Sequence, residues 1–281
     1  METYLIPNLL FKVEARLHRS TQAVIHGTLF YLHGGGFLFG HADDLPADMI
    51  TRFNESGYHV FAINYPLAPE ASLPLITKSV MMAYTWWTTH HRSECKINES
   101  ATFLFGRSAG AYLAQVVTHQ LITFHRSRPK GLILFYGYSH FDQPAFTQPS
   151  IDYLAYPRLS ASDVAPLRSS VIRTSAKPTE RLPLYIHARQ HGIWPTLLGL
   201  NAETMPATDL RPLIDSFPPS FIAATPLDPD VPFENSEHYA SVHPRCRFYR
   251  ATGPHHDFDQ RDRTQRESVI SELVTWLATL A

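Results

Sequence analysis

The 281-residue sequence has few cysteines and little net charge, and these two shortages exclude several classes of protein. Cys95 and Cys246 are its only cysteines, which are too few for a disulfide framework and lack the spacing of metal ligands. The formal net charge is −1 and no block of like charge occurs, so recognition of nucleic acid is not expected. We therefore predict a protein of a reducing, cytoplasmic compartment that has no nucleic-acid partner.

Long hydrophobic runs are also missing from the chain. No segment reaches about 18 uninterrupted apolar residues. The first twenty residues carry Glu2, Glu14 and Arg16 in place of a basic stretch and a small-residue cleavage site. This pattern predicts a soluble, non-exported protein without a membrane span. Since no G-K-[ST] or G-x-G-x-x-G pattern occurs, a phosphate-binding loop is not expected either.

Short apolar runs recur along the chain and alternate with helical patterns, which predicts a mostly parallel sheet flanked by helices. The predicted strands are 28–33, 58–63, 101–105, 131–137, 220–225 and 246–251. Apolar residues repeat at helical spacing from Pro74 to His90 and again from Val269 to Leu277, so we expect both segments to be helices that pack against the sheet.

Residues 139–218 interrupt this alternation because they carry many prolines and scattered aromatic residues without a convincing strand. A structureless loop of that length is implausible in a compact domain, so we predict an inserted, partly helical cap, with 182–190 as one candidate helix. Residues 1–138 and 219–281 would then form the core on which the cap lies.

The pentapeptide GRSAG places Ser108 between two glycines, after the predicted strand 101–105 and before a helical pattern. Its match to G-x-S-x-G predicts a sharp strand-to-helix turn with the serine hydroxyl at the apex, because residues without a Cβ tolerate such a turn. Short matches arise by chance, but the flanking strand and helix favour a nucleophile. We therefore interpret Ser108 as a candidate catalytic residue.

A nucleophilic serine requires a base within hydrogen-bond reach and donors for the oxyanion that forms at an attacked carbonyl. The segment HGGGFLFG, residues 33–40, follows the first predicted strand, and its glycines allow backbone N–H groups to converge on one point. A plain glycine loop without a catalytic role is the alternative interpretation.

Three separated motifs, HGGGF, NYPLAPE and GRSAG, resemble in their order and spacing the bacterial hormone-sensitive-lipase-like branch of α/β-hydrolase esterases. The usual forms in that branch are HGGG, D-Y-x-L-A-P-E and G-D-S-A-G. The resemblance runs from about residue 28 to the C-terminus. It implies an α/β-hydrolase fold, a triad in the order serine, acid, histidine, and no metal or organic cofactor. We interpret the NYPLAPE motif as structural.

The resemblance also selects the later members of the triad. In DPDVP, the family pattern D-x-x-V-P selects Asp228 over Asp230, which we expect to be solvated or to cap a loop. In GPHHDFD, the family form H-x-F selects His256, with His255 as the alternative. These two segments follow the last two predicted strands, where such folds place the acid and the base.

Carried over residue by residue, the oxyanion donors would be the backbone N–H groups of Gly35, Gly36 and Ala109. His33 is expected to brace the glycine loop rather than to transfer a proton. These assignments complete the predicted site.

The sequence departs from the family pattern at two positions. Arg107 stands where the family typically has Asp, and Asn64 replaces another Asp. We expect Arg107 to pair with an acidic neighbour, the alternative being that it favours an anionic substrate. Because only some 27 residues precede the first predicted strand, we also expect the inserted cap, residues 139–218, to form most of the lid over the site.

Together these residues predict a carboxylesterase-type serine hydrolase that cleaves small, fairly apolar esters through an acyl-serine intermediate. A base with the ordinary histidine pKa of about 6.5 would give activity that rises from acid to neutral pH. Two alternatives stay open: an amidase, formamidase or peptidase that uses the same triad, and a non-catalytic ligand-binding protein on this scaffold. The sequence also leaves open whether the chain forms a homodimer.

Overall fold

The computed structural model describes residues 1–8, 11–99 and 101–280. Over these residues the strands are β1 (Glu2–Asn8), β2 (Phe11–His18), β3 (Gly27–Leu32), β4 (Tyr58–Ile63), β5 (Thr102–Arg107), β6 (Gly131–Phe135), β7 (Ser220–Ala224) and β8 (Cys246–Arg250). The α-helices are α1 (Ala47–Glu55), α2 (Leu73–His90), α3 (Ala109–Thr123), α4 (Pro144–Thr147), α5 (Ile151–Leu154), α6 (Ala161–Val164), α7 (Pro178–Gln190), α8 (Trp194–Leu197), α9 (Glu234–Val242), α10 (Phe258–Arg261) and α11 (Arg263–Ala278). Short 3₁₀ helices cover Ala165–Leu167, Met205–Thr208 and Arg211–Ser216. Within the described ranges, no helix is both long and apolar enough to cross a membrane.

The strands form one sheet in the order β1-β2-β4-β3-β5-β6-β7-β8. The pairs β1–β2 and β2–β4 are antiparallel, and the strands from β4 to β8 pair in parallel. The prediction of a mostly parallel sheet flanked by helices is confirmed, and each of the six predicted strands is present, β4 with the predicted ends and the others with slightly different ones. Because the strands are parallel, the loops that follow β3, β5, β7 and β8 all leave the sheet at its carboxyl edge.

The hairpin β1–β2 and helix α1 go beyond what the sequence predicted. In β2 the side chains of Val13, Ala15 and Leu17 are fully buried and alternate with half-buried or exposed residues, which is the period of a half-buried strand. The intervening residues are charged at Lys12 and Glu14, so the segment lacks the continuous apolar run that marks the central strands.

Helices cover both faces of the sheet. On one face α2 and α3 pack on a large apolar cluster, and the predicted stripe of α2 is buried in it at Ile76, Val80 and Trp87. On the other face α1 and α11 contact one another and pack on a second cluster that includes Leu273 of α11. The two predicted sheet-packing helices therefore bury the faces that the sequence indicated.

The predicted cap segment, residues 139–218, lies between β6 and β7 and contains α4 to α8 and the three 3₁₀ helices. Its longest helix, α7, includes the predicted helix 182–190. The cap segment packs on the main apolar cluster through residues such as Leu184 and Trp194, which are buried. That these residues act as a lid stays a prediction.

An ion pair attaches the cap segment to the core. The guanidinium of Arg181 in α7 is fully buried and donates to both carboxylate oxygens of Glu70, over 2.8 and 2.6 Å, and to the carbonyl of Ala68 over 3.2 Å. Burial favours the neutral form of Glu70, but these hydrogen bonds hold the pKa of its carboxyl below the usual value. The last residue of the NYPLAPE motif therefore holds α7 in place, which agrees with a structural role for the motif.

Candidate active site

The structure brings the three predicted triad side chains together. Ser108 lies between β5 and α3, Asp228 follows β7, and His256 lies between β8 and α10. Nε2 of His256 is 2.9 Å from Oγ of Ser108, and Nδ1 of His256 is 2.7 Å from Oδ2 of Asp228. Each neighbouring pair in the chain Ser108–His256–Asp228 is therefore within hydrogen-bond distance.

The turn at Ser108 explains the glycines on either side of it. Ser108 itself has the positive φ, 51°, whereas Gly106 and Gly110 do not. A Cβ at Gly106 would lie 2.1 Å from the carbonyl oxygen of Gly110, and a Cβ at Gly110 would lie 2.0 Å from that of Leu32. The glycines are needed for the close approach of backbone segments rather than for a special φ, so a Cβ at either position would be resisted.

Backbone donors fix the orientation of Asp228. Its Oδ1 accepts hydrogen bonds from the N–H groups of Asp230 and Val231, over 2.8 and 2.9 Å, and its Oδ2 faces Nδ1 of His256. With Nδ1–H directed at this carboxylate, Nε2 is left to accept the proton of Ser108.

The glycine loop after β3 lies beside the serine. Gly35 and Gly36 have φ values of 95° and 58°, and a Cβ at Gly36 would lie 2.4 Å from Cε2 of Tyr185. Nε1 of Trp194 donates to the carbonyl of Gly36 over 2.9 Å, which orients that peptide unit. In the part of the chain that the structure describes, no acceptor is found for the backbone N–H groups of Gly35, Gly36 and Ala109. Gly35 and Gly36 line the cavity beside Ser108, and Ala109 is the next residue along the chain.

His33 is buried at the base of the glycine loop. Its ring stacks on Tyr65 with centroids 3.9 Å apart, and its Nδ1 is 2.8 Å from the carbonyl oxygen of Gly34. Burial lowers the pKa of His33 to about 3, so the ring is neutral at ordinary pH. This geometry agrees with the expected bracing role.

Arg107 belongs to a buried polar network next to Ser108. Its Nη2 is 3.2 Å from Oδ1 of Asp259 and its Nε donates to the hydroxyl of Tyr136 over 2.6 Å. The Tyr136 hydroxyl in turn donates to Asp259 over 2.8 Å, and the Tyr136 ring lies 4.6 Å from that of His256. Although burial acts against the charge, Asp259 raises the pKa of Arg107 well above its usual value. The first of the two interpretations, pairing with an acidic neighbour, fits this contact.

Asp230 is neither solvated nor a loop cap, which corrects the expectation from the sequence. It is 8% exposed, and its carboxylate accepts from the hydroxyl of Tyr185 over 2.8 Å and pairs with the guanidinium of Arg189. Its Oδ2 also lies 3.7 Å from Nε2 of His256. The sequence missed this residue because Tyr185 and Arg189 come from α7, more than 40 positions earlier.

The charges around His256 alter its acid–base behaviour. Burial acts to lower the pKa of His256, but Asp228, Asp230 and Asp257 act in the opposite direction and raise it to about 9. The ordinary value of about 6.5 used in the sequence argument is therefore wrong for this site. The imidazolium is stabilised here before any substrate binds.

A cavity of about 470 Å³ opens over the serine. Its walls combine the glycine loop, Ser108 and His256 with aromatic and aliphatic side chains, mainly Phe39, Tyr153, Tyr156, Leu182, Tyr185 and Ile186. His255 is exposed at the cavity wall, whereas His256 makes the bonds to Ser108 and Asp228. Among the described residues, no three His, Cys, Asp or Glu side chains are grouped as metal ligands.

Comparisons with known proteins agree with this architecture. Residues 29–204 match a family model described as the alpha/beta hydrolase fold. A Staphylococcus aureus protein of unknown function is 28% identical, with 100% of this chain and 99% of that chain covered and a TM-score of 0.86. An alpha/beta hydrolase superfamily protein from Enterococcus faecalis is 27% identical, with 96% and 97% covered and a TM-score of 0.84. An esterase from Pyrobaculum calidifontis is 18% identical, with 99% and 84% covered and a TM-score of 0.71, a likeness of fold.

Proposed function

Because the chain belongs to the alpha/beta hydrolase family, we propose that it is a carboxylesterase-type serine hydrolase that cleaves esters of small, fairly apolar compounds. The observation that supports this most is the continuous chain of contacts from Ser108 through His256 to Asp228, of which Ser108 and His256 line the cavity. The finer assignment to the hormone-sensitive-lipase-like branch rests on the HGGGF, NYPLAPE and GRSAG motifs.

In the proposed reaction, Oγ of Ser108 attacks the ester carbonyl while Nε2 of His256 takes its proton. The 2.9 Å separation of these two atoms suits this transfer, and Asp228 stabilises the imidazolium that results. The C–O bond to the alcohol then breaks, and the alcohol leaves with the proton from Nε2. Water activated by the same nitrogen hydrolyses the acyl-serine and releases the acid.

The oxyanion of each tetrahedral intermediate would be held by the N–H groups of Gly35, Gly36 and Ala109. Within the described ranges none of the three has an acceptor, and two of them belong to residues with positive φ angles in the glycine loop. Donors fixed in this way stabilise the charge that develops on the carbonyl oxygen without reorganising during the reaction.

The cavity supports the choice of small, fairly apolar substrates. Its volume of about 470 Å³ suits a small molecule, and Phe39, Tyr156 and Leu182 present apolar surface to an acyl or alcohol group. A bulky polymer would not fit within this volume.

The proposal is tested by hydrolysis of p-nitrophenyl esters from acetate to long acyl chains, with the wild type and Ser108→Ala side by side. We expect turnover of short chains that is abolished in Ser108→Ala. His255→Ala and His256→Ala form a matched pair, and we expect the first to keep most activity and the second to lose it. Equal activity in wild type and Ser108→Ala, or none on any ester, would contradict the proposal.

A further inference from the structure

The reactive nitrogen of His256 faces a second carboxylate that the proposed ester mechanism does not use. Asp228 contacts Nδ1 of the imidazole, while Oδ2 of Asp230 lies 3.7 Å from Nε2, the nitrogen that passes a proton to the leaving group in the proposed mechanism. Asp230 also lines the cavity. An acceptor with a full negative charge therefore stands beside the atoms that react.

Contacts from the cap segment fix this carboxylate in place. Arg189 pairs with its Oδ1 and also donates to its main-chain carbonyl over 3.0 Å, and Tyr185 donates to both carboxylate oxygens over 2.8 and 3.1 Å. The Arg189 guanidinium itself lies against the rings of Tyr153 and Phe146, at 4.9 and 5.4 Å. Asp230 is thus both ionised and rigid.

The donors Tyr185 and Arg189 belong to the cap segment, while Oδ2 of Asp230 also lies near Nε2 of His256 and Asp230 lines the cavity. Burial acts to raise the pKa of Asp230, but Arg189, His256 and the hydroxyls of Tyr185 and Tyr153 together outweigh it and hold the pKa below the usual value. A substrate would therefore meet an acceptor, never a donor, at this position.

We propose that Asp230 accepts a hydrogen bond from an N–H group on the leaving atom of the substrate, so that the site also cleaves amides and anilides of small acyl groups. This inference rests on the proposed function, because it uses the same serine and histidine. It names Asp230 as the residue that decides between nitrogen and oxygen leaving groups.

The argument follows from where the leaving atom must be. To receive the proton from Nε2, that atom comes within about 3 Å of Nε2, which places it near Asp230. An amide nitrogen of this kind carries a hydrogen of its own and can donate it to the carboxylate. An ester oxygen carries none and turns only lone pairs toward the negative charge, so Asp230 gains no hydrogen bond from an ester leaving group, although its charge stabilises the imidazolium with either substrate.

The amide reaction balances in the same way as the ester reaction. Oγ of Ser108 forms a bond to the carbonyl carbon and its proton moves to Nε2 of His256. The C–N bond breaks, and the nitrogen takes the proton from Nε2 and leaves as a neutral amine. Asp230 accepts a hydrogen bond from the N–H that the amide carried from the start, and it neither gains nor loses a proton. Water then hydrolyses the acyl-serine.

The test compares three acetyl compounds that differ at the leaving atom: p-nitrophenyl acetate, p-nitroacetanilide, and N-methyl-p-nitroacetanilide, which lacks the N–H. We expect the wild type to cleave the ester and the anilide but not the N-methyl anilide. In Asp230→Asn, kcat/KM for the anilide relative to the ester should fall about tenfold or more, the effect of losing a hydrogen bond to a charged acceptor.

Asp257→Asn serves as the matched control, because it removes another carboxylate that acts on His256. Both substrates use the same base, so this variant should change their rates together and leave the ratio unchanged. Asp230→Asn leaves Arg189 without its counter-charge, and the ratio is therefore also measured in Asp230→Asn/Arg189→Gln. Ester turnover in each variant reports that the site is folded.

Ester turnover without any anilide turnover in the wild type would overturn the inference. An unchanged ratio of anilide to ester kcat/KM in the Asp230 variants would overturn it too; together with a lowered Tm, it would show that Asp230 only anchors the cap segment. Anilide turnover that depends on Asp230 in the absence of ester turnover would contradict the ester function and still support the inference.

Discussion

Replacing Arg107 by methionine should destabilise the protein strongly, because it leaves a buried carboxylate without its counter-charge. Arg107 and Asp259 are 2% and 0% exposed, and Nη2 of the arginine lies 3.2 and 3.1 Å from the two carboxylate oxygens. In Arg107→Met, Asp259 keeps one donor, the Tyr136 hydroxyl.

The expected cost follows from this burial. Removing one partner of a buried ion pair typically costs about 3–5 kcal/mol, since the remaining charge stays desolvated. A domain with a free energy of unfolding of about 5–15 kcal/mol would lose a large share of it. In Arg107→Met/Asp259→Asn both charges are gone and Tyr136 still has an acceptor, so most of the loss should be recovered.

Urea unfolding followed by the fluorescence of the four tryptophans measures these differences. Exposed Arg263, which forms a surface pair with Glu267, provides the control: Arg263→Met should change the free energy of unfolding by less than about 1 kcal/mol. A loss of less than about 1 kcal/mol in Arg107→Met, or a double variant less stable than the single one, would refute the reasoning.

The same variant addresses the alternative role of Arg107 in binding an anionic substrate. Because Asp259 and Tyr136 occupy its guanidinium, Arg107→Met should alter KM for neutral and anionic esters by the same factor. A rise in KM confined to anionic esters would show that the guanidinium contacts substrate.

Two further predictions concern the reaction. The logarithm of kcat/KM should rise by about one per pH unit and level off only near pH 9. The reason is that the raised pKa keeps His256 protonated, and so unable to act as a base, below that pH. A kcat/KM that is already constant between pH 7 and 8 would contradict this. Gly36→Ala should lower kcat about 100-fold or more, because its Cβ would meet the Tyr185 ring at 2.4 Å and displace an oxyanion donor. Gly253→Ala, where no atom lies within 4 Å of the added Cβ, is the control, and equal kcat in the two variants would exclude the assigned role.

Local patterns in the sequence were enough to predict the central strands and Ser108, whereas the choice of Asp228 and His256 also used the resemblance to a known family. Each of the central strands is a short apolar run, and Ser108 comes directly after β5, so neighbours along the chain carry this information. The sequence did not predict the hairpin β1–β2, because charged residues alternate with the buried ones and no continuous apolar run marks the strand. The hairpin joins the sheet through the pairing of β2 with β4, a contact between distant parts of the chain.

Only the tertiary structure decided the environment of the predicted site. Asp259, the partner of Arg107, stands 152 positions away in sequence, and Arg189, the partner of Asp230, stands 41 positions away. Burial and the pKa of a side chain depend on every charge and dipole within a few ångströms, whichever part of the chain supplies it. The sequence by itself therefore determined which residues can form the triad, whereas the folded chain decided that His256 lies between two carboxylates and that its pKa is raised.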